Sequence, residues 1–150
     1  MTTEVRFYHL QRQSTEQALP ALVNKALQTG KRIIIQTADA KAASALNDHL
    51  WTYDASSFLP HGTAKDGNAE YQPIFITHNN DNPNGAKILI LTGGADRDPK
   101  TDYDLCCEIF DGNNETALST ARAKWKAYKE ANSLTLTYWQ QTENGWEKKA

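Results

Sequence analysis

The chain has 150 residues, 39% of them hydrophobic and 23% charged, which is the balance of one globular domain and excludes a largely disordered protein. Its formal net charge is −2, which gives no general attraction to nucleic acid, and no apolar run approaches the ~20 residues that span a bilayer. The N-terminus has no basic segment followed by an apolar core, so we expect no signal peptide, no membrane partner, a cytoplasmic location and one domain over residues 1–150.

The first segment of the chain predicts a strand followed by a helix. Residues 4–9 are rich in β-forming side chains, and Ser14 with Gln17 three residues later has the spacing of a capping box, which begins a helix. Pro20 leaves two alternatives open, because either the main helix begins at the proline or the proline kinks a longer helix. Gly30 supplies the end of this helix.

A second strand and helix follow, and then a long connection. The apolar run 32–36 is too short for a helix and predicts a buried strand, after which Asp39 caps a helix that runs to about Trp51. The connection over residues 52–72 contains serine, glycine and proline as well as aromatic residues. Connections of this length are usually functional or disordered.

The second half of the chain begins with three predicted strands, over residues 73–77, 87–92 and within 103–110. The segment HNNDNPNG between the first two is a strong turn signal. In the third strand the adjacent Cys106 and Cys107 point to opposite faces, so they suit neither a disulfide nor a shared metal. We expect two small, semi-buried residues in a reduced compartment.

A long helix and a last strand complete the predicted order. Asn113 or Asn114 caps the helix, which reaches about Ala131, and residues 134–139 form the strand before a turn and a tail. Alternation of strand and helix early in the chain favours parallel strands with helices on both faces. We therefore predict an α/β protein with three α/β/α layers and a mostly parallel, mixed sheet.

The sequence carries none of the common motifs for phosphate, metal or nucleophilic chemistry. It has neither GxxxxGK[ST] nor GxGxxG, and the segment HLQRQ after the first strand has no glycine to let a phosphate approach. The four histidines are scattered, and the aspartates between residues 96 and 104 lack EF-hand spacing. Since GxSxG is also missing, we expect no catalytic residue, no metal and no cofactor.

Two groups of aromatic residues remain as candidate sites. The first consists of Trp51 at a helix end and, in the long connection, Phe58, Leu59 and Pro60. These side chains either fill the bottom of the core or form an exposed apolar patch that marks a protein interface. The residues alone leave both alternatives open.

The second group lies on the last helix. Arg122, Lys126 and Lys129 fall at i, i+4 and i+7 and so share one face, and Trp125 lies beside them. Residues 121–150 carry 6 Lys and Arg against 3 Asp and Glu, whereas the rest of the chain carries 10 against 15. This group is either a solvated basic face with a half-buried tryptophan, or a groove for an acidic peptide with an aromatic wall.

Four segments together resemble one family, the chi subunit of bacterial DNA polymerase III. They are VRFYHL at the N-terminus, ALQTGKRIIIQT, LWTYDASSFLPHG at 50–62 and ARAKWKAYKEANSLTLTYW at 121–139. They occur in the family's order and cover most of the chain. The specific parts are LW…SF.PH and AR…KAY.

The resemblance implies a Rossmann-like fold without a nucleotide site, and an accessory role in the clamp-loader assembly of the replicative polymerase. Family members bridge the psi subunit and the acidic C-terminal tail of single-stranded-DNA-binding protein, so DNA is contacted only indirectly. The positions matching Trp51 and Phe58 serve the psi surface, which has also been linked to a helicase. The positions matching Arg122 and Lys126 serve the tail pocket, beside an aromatic that here is Trp125.

Two positions depart from the pattern that the resemblance implies. Asp111 stands where the best-known chi proteins have an apolar residue, and Leu118 stands where they have a lysine, so the tail pocket is altered here. The competing class is a nucleotide-dependent hydrolase or transferase on the same sheet. A third interpretation is direct DNA binding, which the negative net charge disfavours.

Overall fold

The protein is described from a computed structural model, which covers residues 3–52, 61–63, 69–79, 81–93, 95, 103–131, 134–143 and 145–149. Its helices are α1 (Thr15–Leu27), α2 (Ala40–Thr52) and α3 (Glu115–Ala131), with a short 3₁₀ helix at Ala69–Tyr71. Its strands are β1 (Thr3–Leu10), β2 (Ile33–Gln36), β3 (His61–Gly62), β4 (Ile74–Thr77), β5 (Ile88–Thr92), β6 (Leu105–Asp111), β7 (Leu134–Thr142) and β8 (Gly145–Lys148).

The strands form one eight-stranded sheet in the order β3-β4-β2-β5-β6-β1-β7-β8. Every neighbouring pair is parallel except β7 and β8, which pair antiparallel as a hairpin at one edge. Strand β1 lies between β6 and β7, so the first strand of the chain is paired to two of the last three. The predicted mixed, mostly parallel sheet is confirmed.

Two apolar cores lie on opposite faces of the sheet, which gives the predicted three layers. Helices α1 and α2 cover one face, where Leu19 and Leu46 pack among the strand side chains of Ile33 and Ile35. Helix α3 covers the other face, and a second set of strand side chains packs there. The alternation is visible at the two cysteines. Both are buried and outside any disulfide, Cys107 in the first core and Cys106 in the second.

The helix starts form as the sequence indicates. The Ser14 hydroxyl accepts from the Gln17 backbone N–H at 3.3 Å, and the Gln17 side chain accepts from the Ser14 backbone N–H at 2.9 Å, which completes the capping box. Asp39 accepts from Ala42 N–H at 2.8 Å at the start of α2. At the start of α3 the cap is Asn114, whose side-chain oxygen accepts from Ala117 N–H at 3.0 Å.

Three expectations about the elements need correction or completion. Helix α1 runs through Pro20 without interruption, so the proline neither starts nor ends it. The long connection contains the short strand β3 and a 3₁₀ turn. The segment expected to be a turn and tail forms β8, because residues 145–148 pair with 139–142 and Trp146 packs against the first core. None of the helices in the described part of the chain is apolar and long enough to cross a membrane.

Candidate functional site

The four candidate residues on α3 lie along one flank of the helix, which we call the α3 flank. Arg122, Lys126 and Lys129 are exposed, and Trp125 is half-buried between them and the sheet. The neighbouring flank of the helix faces the sheet, with Ala121 and Tyr128 buried in the second core. The helix therefore holds three cations in solvent above one partly accessible indole.

Trp125 rests on a group of aromatic side chains from the sheet, which we call the ring cluster. Its indole meets Phe7 of β1 edge-on at a centroid distance of 5.2 Å and Tyr138 of β7 at 5.6 Å. Residues Phe7 and Tyr138 are register partners on adjacent parallel strands, so their side chains share one face. Such edge-to-face contacts hold the indole in one orientation.

His9 and Phe110 extend the ring cluster toward the carboxyl ends of β1 and β6. The Nδ1 atom of His9 lies 2.6 Å from the hydroxyl of Tyr138, and its ring packs against Phe110 at 5.2 Å. Gly112 lies against the other side of the imidazole, where a Cβ atom would overlap the ring. The imidazole is thus enclosed by Tyr138, Phe110 and a bare backbone.

The charge of Arg122 acts on the ring cluster beneath it. Burial lowers the pKa of His9 from its ordinary value of 6.5, and the nearby Arg122 charge lowers it further while Asp111 opposes the shift. Burial raises the pKa of Tyr138, and Arg122 opposes that shift. Since Arg122 affects both groups, its charge is close enough to the His9–Tyr138 pair to act on it. The flank therefore combines an exposed cation with nearby aromatic rings.

The inner flank of α3 is fastened to the sheet by a buried polar group. The ammonium of Lys124 lies 3.1 Å from a carboxylate oxygen of Glu108, and it also donates to the backbone oxygen of Ala95 at 2.7 Å. The hydroxyl of Tyr128 donates to the second oxygen of Glu108 at 2.8 Å. These contacts hold α3 against β6 and so fix the position of the α3 flank relative to the sheet.

The sequence matches the family model described as "DNA polymerase III chi subunit, HolC" over residues 1–135. The chain belongs to the DNA polymerase III chi subunit family. It is 34% identical over 89 residues to the "Probable DNA polymerase III subunit chi" of Rickettsia prowazekii, a match that covers 59% of this chain and 54% of that protein. It is 27% identical over 128 residues to the "DNA polymerase III subunit chi" of Escherichia coli, covering 84% of this chain and 86% of that protein.

The match to the Rickettsia chi protein therefore spans about half the length of that relative. The family model ends at residue 135, inside β7. The rest of β7 and the whole of β8 lie beyond the matched span, so the hairpin at this edge of the sheet is a feature of this chain that the family match does not describe.

The loop after β1 is the position where many α/β proteins bind phosphate, and here it is already occupied by the protein's own side chain. The side-chain oxygen of Gln141 accepts from the successive backbone N–H groups of Gln11, Arg12 and Gln13, at 3.2, 2.9 and 3.2 Å. Gln141 is buried, and its amide nitrogen donates to the side chain of Gln13 at 2.7 Å. The backbone donors that could hold an anion thus have an acceptor. Among the described residues, no group of three or more His, Cys, Asp or Glu is placed to hold a metal ion.

The other predicted surface cannot be assembled from the described residues. Trp51 lies in the last turn of α2, but its side chain is outside the described part of the structure, as are Phe58, Leu59 and Pro60. The choice between a core plug and a partner surface at these four residues stays a prediction.

Several residues around the α3 flank were missed by reading the sequence. His9, Phe110 and Tyr138 come from three different strands, and only the sheet order brings them together. The alternation along β1 could have placed Phe7 and His9 on one face, but the pairing of β1 with β7 has no local signal. The structure also locates the two residues that differ from the family pattern. Leu118 packs against the second core, and Asp111 is half-buried at the end of β6.

Proposed function

We infer that this protein is a non-catalytic subunit of the DNA polymerase III holoenzyme that bridges the psi subunit and the C-terminal tail of single-stranded-DNA-binding protein. The observation that carries the tail-binding part is the α3 flank, where exposed cations lie beside Trp125, whose indole is held by Phe7 and Tyr138. A tail with several aspartates, a final apolar side chain and a free carboxylate matches this chemistry.

The terminal carboxylate of the tail is assigned to Arg122. A guanidinium offers two parallel N–H donors to a carboxylate, which is a stronger and more directional contact than a lysine ammonium provides. Trp125 supplies the apolar wall for the last side chain, because its indole is anchored by Phe7 and Tyr138 but is not fully buried. A pre-oriented ring lowers the entropy cost of binding.

Lys126 and Lys129 are assigned to the upstream aspartates of the tail. Both are exposed and lie on the solvent side of the indole, so each contact is worth little by itself and weakens as salt increases. Asp111 at the end of β6 introduces a carboxylate near this site, as its effect on His9 shows. Like-charge repulsion there favours a tail that approaches from the lysine side.

The psi subunit is assigned to Trp51, Phe58, Leu59 and Pro60 by the family resemblance alone, and a helicase partner belongs to the same surface. Substituting Trp51 by alanine should weaken a psi partner by about 2 kcal/mol or more if it is a hot spot. It should cost the fold much less than the ~3–5 kcal/mol of a core aromatic. Thermal denaturation and a pull-down with psi separate the two outcomes.

We expect no intrinsic catalysis. The phosphate position after β1 is filled by Gln141, which argues against a nucleotide-dependent hydrolase or transferase. Purified protein incubated with ATP, GTP and deoxynucleotides should show neither saturable binding nor turnover, whereas a defined nucleotide complex would revive the enzyme alternative.

Calorimetry with a synthetic tail peptide tests the tail site. Arg122→Ala should weaken binding by at least about tenfold, because a charge-assisted, two-pronged contact is lost. Removing the last residue of the peptide should have the same effect. Lys126→Ala with Lys129→Ala should lower affinity less at high salt than at low salt.

Arg12→Ala is the matched control, because Arg12 is also exposed but lies after β1, where its partner is Glu143 at 3.5 Å. It should bind the peptide as the wild type does. Unchanged affinity in Arg122→Ala, in a variant with an unaltered circular dichroism spectrum, would place the tail site elsewhere.

A further inference from the structure

Among the described residues, no helix has its main strand contacts with β1, β7 or β8 on the face that carries α1 and α2. On the face that carries α1 and α2, the main strand contacts of α1 are with β2 and β6, and those of α2 are with β4. On this face β1, β7 and β8 present three half-buried aromatic side chains: Tyr8, Trp139 and Trp146.

A groove runs between α1 and these three strands, with a volume of about 220 Å³. We call it the sheet groove. Tyr8, Trp139 and Trp146 form its aromatic wall, and Arg6 and Lys25 are the cations that line it. None of the described lining residues is a carboxylate. A smaller space of about 80 Å³ shares Arg6, Tyr8 and Lys25 with it.

The aromatic wall is held in place by contacts on the sheet. Trp146 meets Tyr8 edge-on at a centroid distance of 5.1 Å, and the indole N–H of Trp139 donates to the hydroxyl of Thr137 at 3.1 Å. Lys148 is the cross-strand partner of Trp139, which places a further cation beside the rings. Trp146 and Lys148 lie in β8, beyond the span of the family match.

The cations around the sheet groove distinguish between anionic ligands. The guanidinium of Arg6 already bonds Glu4 through Nε and shares a hydrogen bond with Tyr8, so part of its set of donors is engaged. Lys25 and Lys148 are exposed and form no ion pair with another described residue. An ammonium binds phosphate well as a point charge, and every base offers a flat face to a tryptophan. The groove therefore fits a phosphate backbone with bases better than an acidic peptide.

We propose that the sheet groove binds single-stranded nucleic acid, with bases stacked on the aromatic wall and phosphates beside Lys25 and Lys148. The chain's net charge of −2 supplies no long-range attraction, so the binding is weak and stacking contributes most of it. The groove lies on the face opposite α3, so occupation of the α3 flank does not block it. The proposal is independent of tail binding.

Fluorescence anisotropy with a labelled oligothymidylate of about ten nucleotides tests the proposal at low salt. The wild type should bind the oligonucleotide and should bind a duplex of the same length less tightly, because duplex bases are not free to stack. Trp146→Ala should weaken binding by at least about fivefold. Lys25→Ala should reduce the slope of log K against log salt by about 0.7, the loss of one phosphate contact to a single strand.

Arg122→Ala and Lys129→Ala are the matched controls, because they remove cations from the other face of the sheet; both should bind the oligonucleotide as the wild type does. The Lys25 variant keeps the test valid if Trp146→Ala does not fold, since Lys25 is an exposed side chain on α1. No binding by the wild type at low salt would overturn the proposal. Oligonucleotide binding as tight as that of the wild type in both the Lys25 and the Trp146 variants would also overturn it. So would binding of an acidic peptide to the aromatic wall by a protein that does not bind the oligonucleotide.

Discussion

Replacing Lys124 by methionine should destabilise the fold strongly, although the change removes only one charged group. The ammonium is 3.1 Å from the Glu108 carboxylate, and the two side chains are only 13% and 7% exposed. Methionine keeps most of the apolar stem but removes the ammonium from a buried carboxylate that still accepts from the Tyr128 hydroxyl. Breaking a buried ion pair from one side costs about 3–5 kcal/mol, and the tyrosine places this case near 3 kcal/mol.

The measurement is denaturant and thermal unfolding of the full chain. For about 150 residues, a loss of ~3 kcal/mol lowers Tm by about 6–12 °C, while the denaturant m value should not change. The double variant Lys124→Met with Glu108→Gln should be more stable than Lys124→Met alone, because the stranded charge is removed.

The matched control is Lys31→Met. Lys31 and Asp104 form a shorter ion pair, at 2.8 Å, but their side chains are 47% and 45% exposed. If distance decided the energy, this variant would lose more stability than Lys124→Met. We expect it to lose far less, because water solvates and salt screens an exposed pair. Equal losses in the two variants would refute the reasoning from burial.

Two further predictions concern the ring cluster. Gly112→Ala should lower the free energy of unfolding by about 3 kcal/mol, because the new Cβ would overlap the His9 ring and lie 2.6 Å from the Leu10 carbonyl oxygen. Gly85→Ala, at a left-handed position with open space around it, should lower it by about 1 kcal/mol. Equal losses in the two variants would contradict the steric argument. Because burial and Arg122 lower the pKa of His9, the unfolded chain binds a proton more readily than the folded chain, so stability should fall as pH drops below about 6.5 and level off below the folded-state pKa. His9→Gln should lack this part of the pH dependence, and an identical pH profile in the variant would show that another group is responsible.

Local chemistry was enough to predict the order and limits of most elements. The Ser14–Gln17 pair, Asp39 and the run 32–36 each act through neighbours within four residues, and such signals are visible in a sequence. The opposite faces of Cys106 and Cys107 follow equally from the alternation of a strand.

The sequence was less informative where distant segments decide the outcome. β8 has a short sequence with little strand signal of its own. It forms a strand because it pairs with β7 at the edge of the sheet and because Trp146 packs against Tyr8. The contact of His9 with Tyr138 joins residues 129 positions apart. Charge spacing placed Arg122, Lys126 and Lys129 on one flank, but no local pattern showed that aromatic rings from β1 and β7 would lie under it.

The side-chain oxygen of Gln141 has a consequence for the order in which the chain can mature on the ribosome. It closes the loop at residues 11–13, yet it is synthesised about 130 residues later. Strand β1 likewise waits for β6 and β7 before it has a neighbour on either side. Until its last segment emerges, the nascent chain therefore has a β1 strand without both neighbours. The backbone N–H groups of residues 11–13 also lack the Gln141 acceptor until then. Chains shortened at residue 135 lack Gln141 and most of β7, so we expect them to remain incompletely folded. Chaperones should bind them and proteases should cleave them more readily than the full chain.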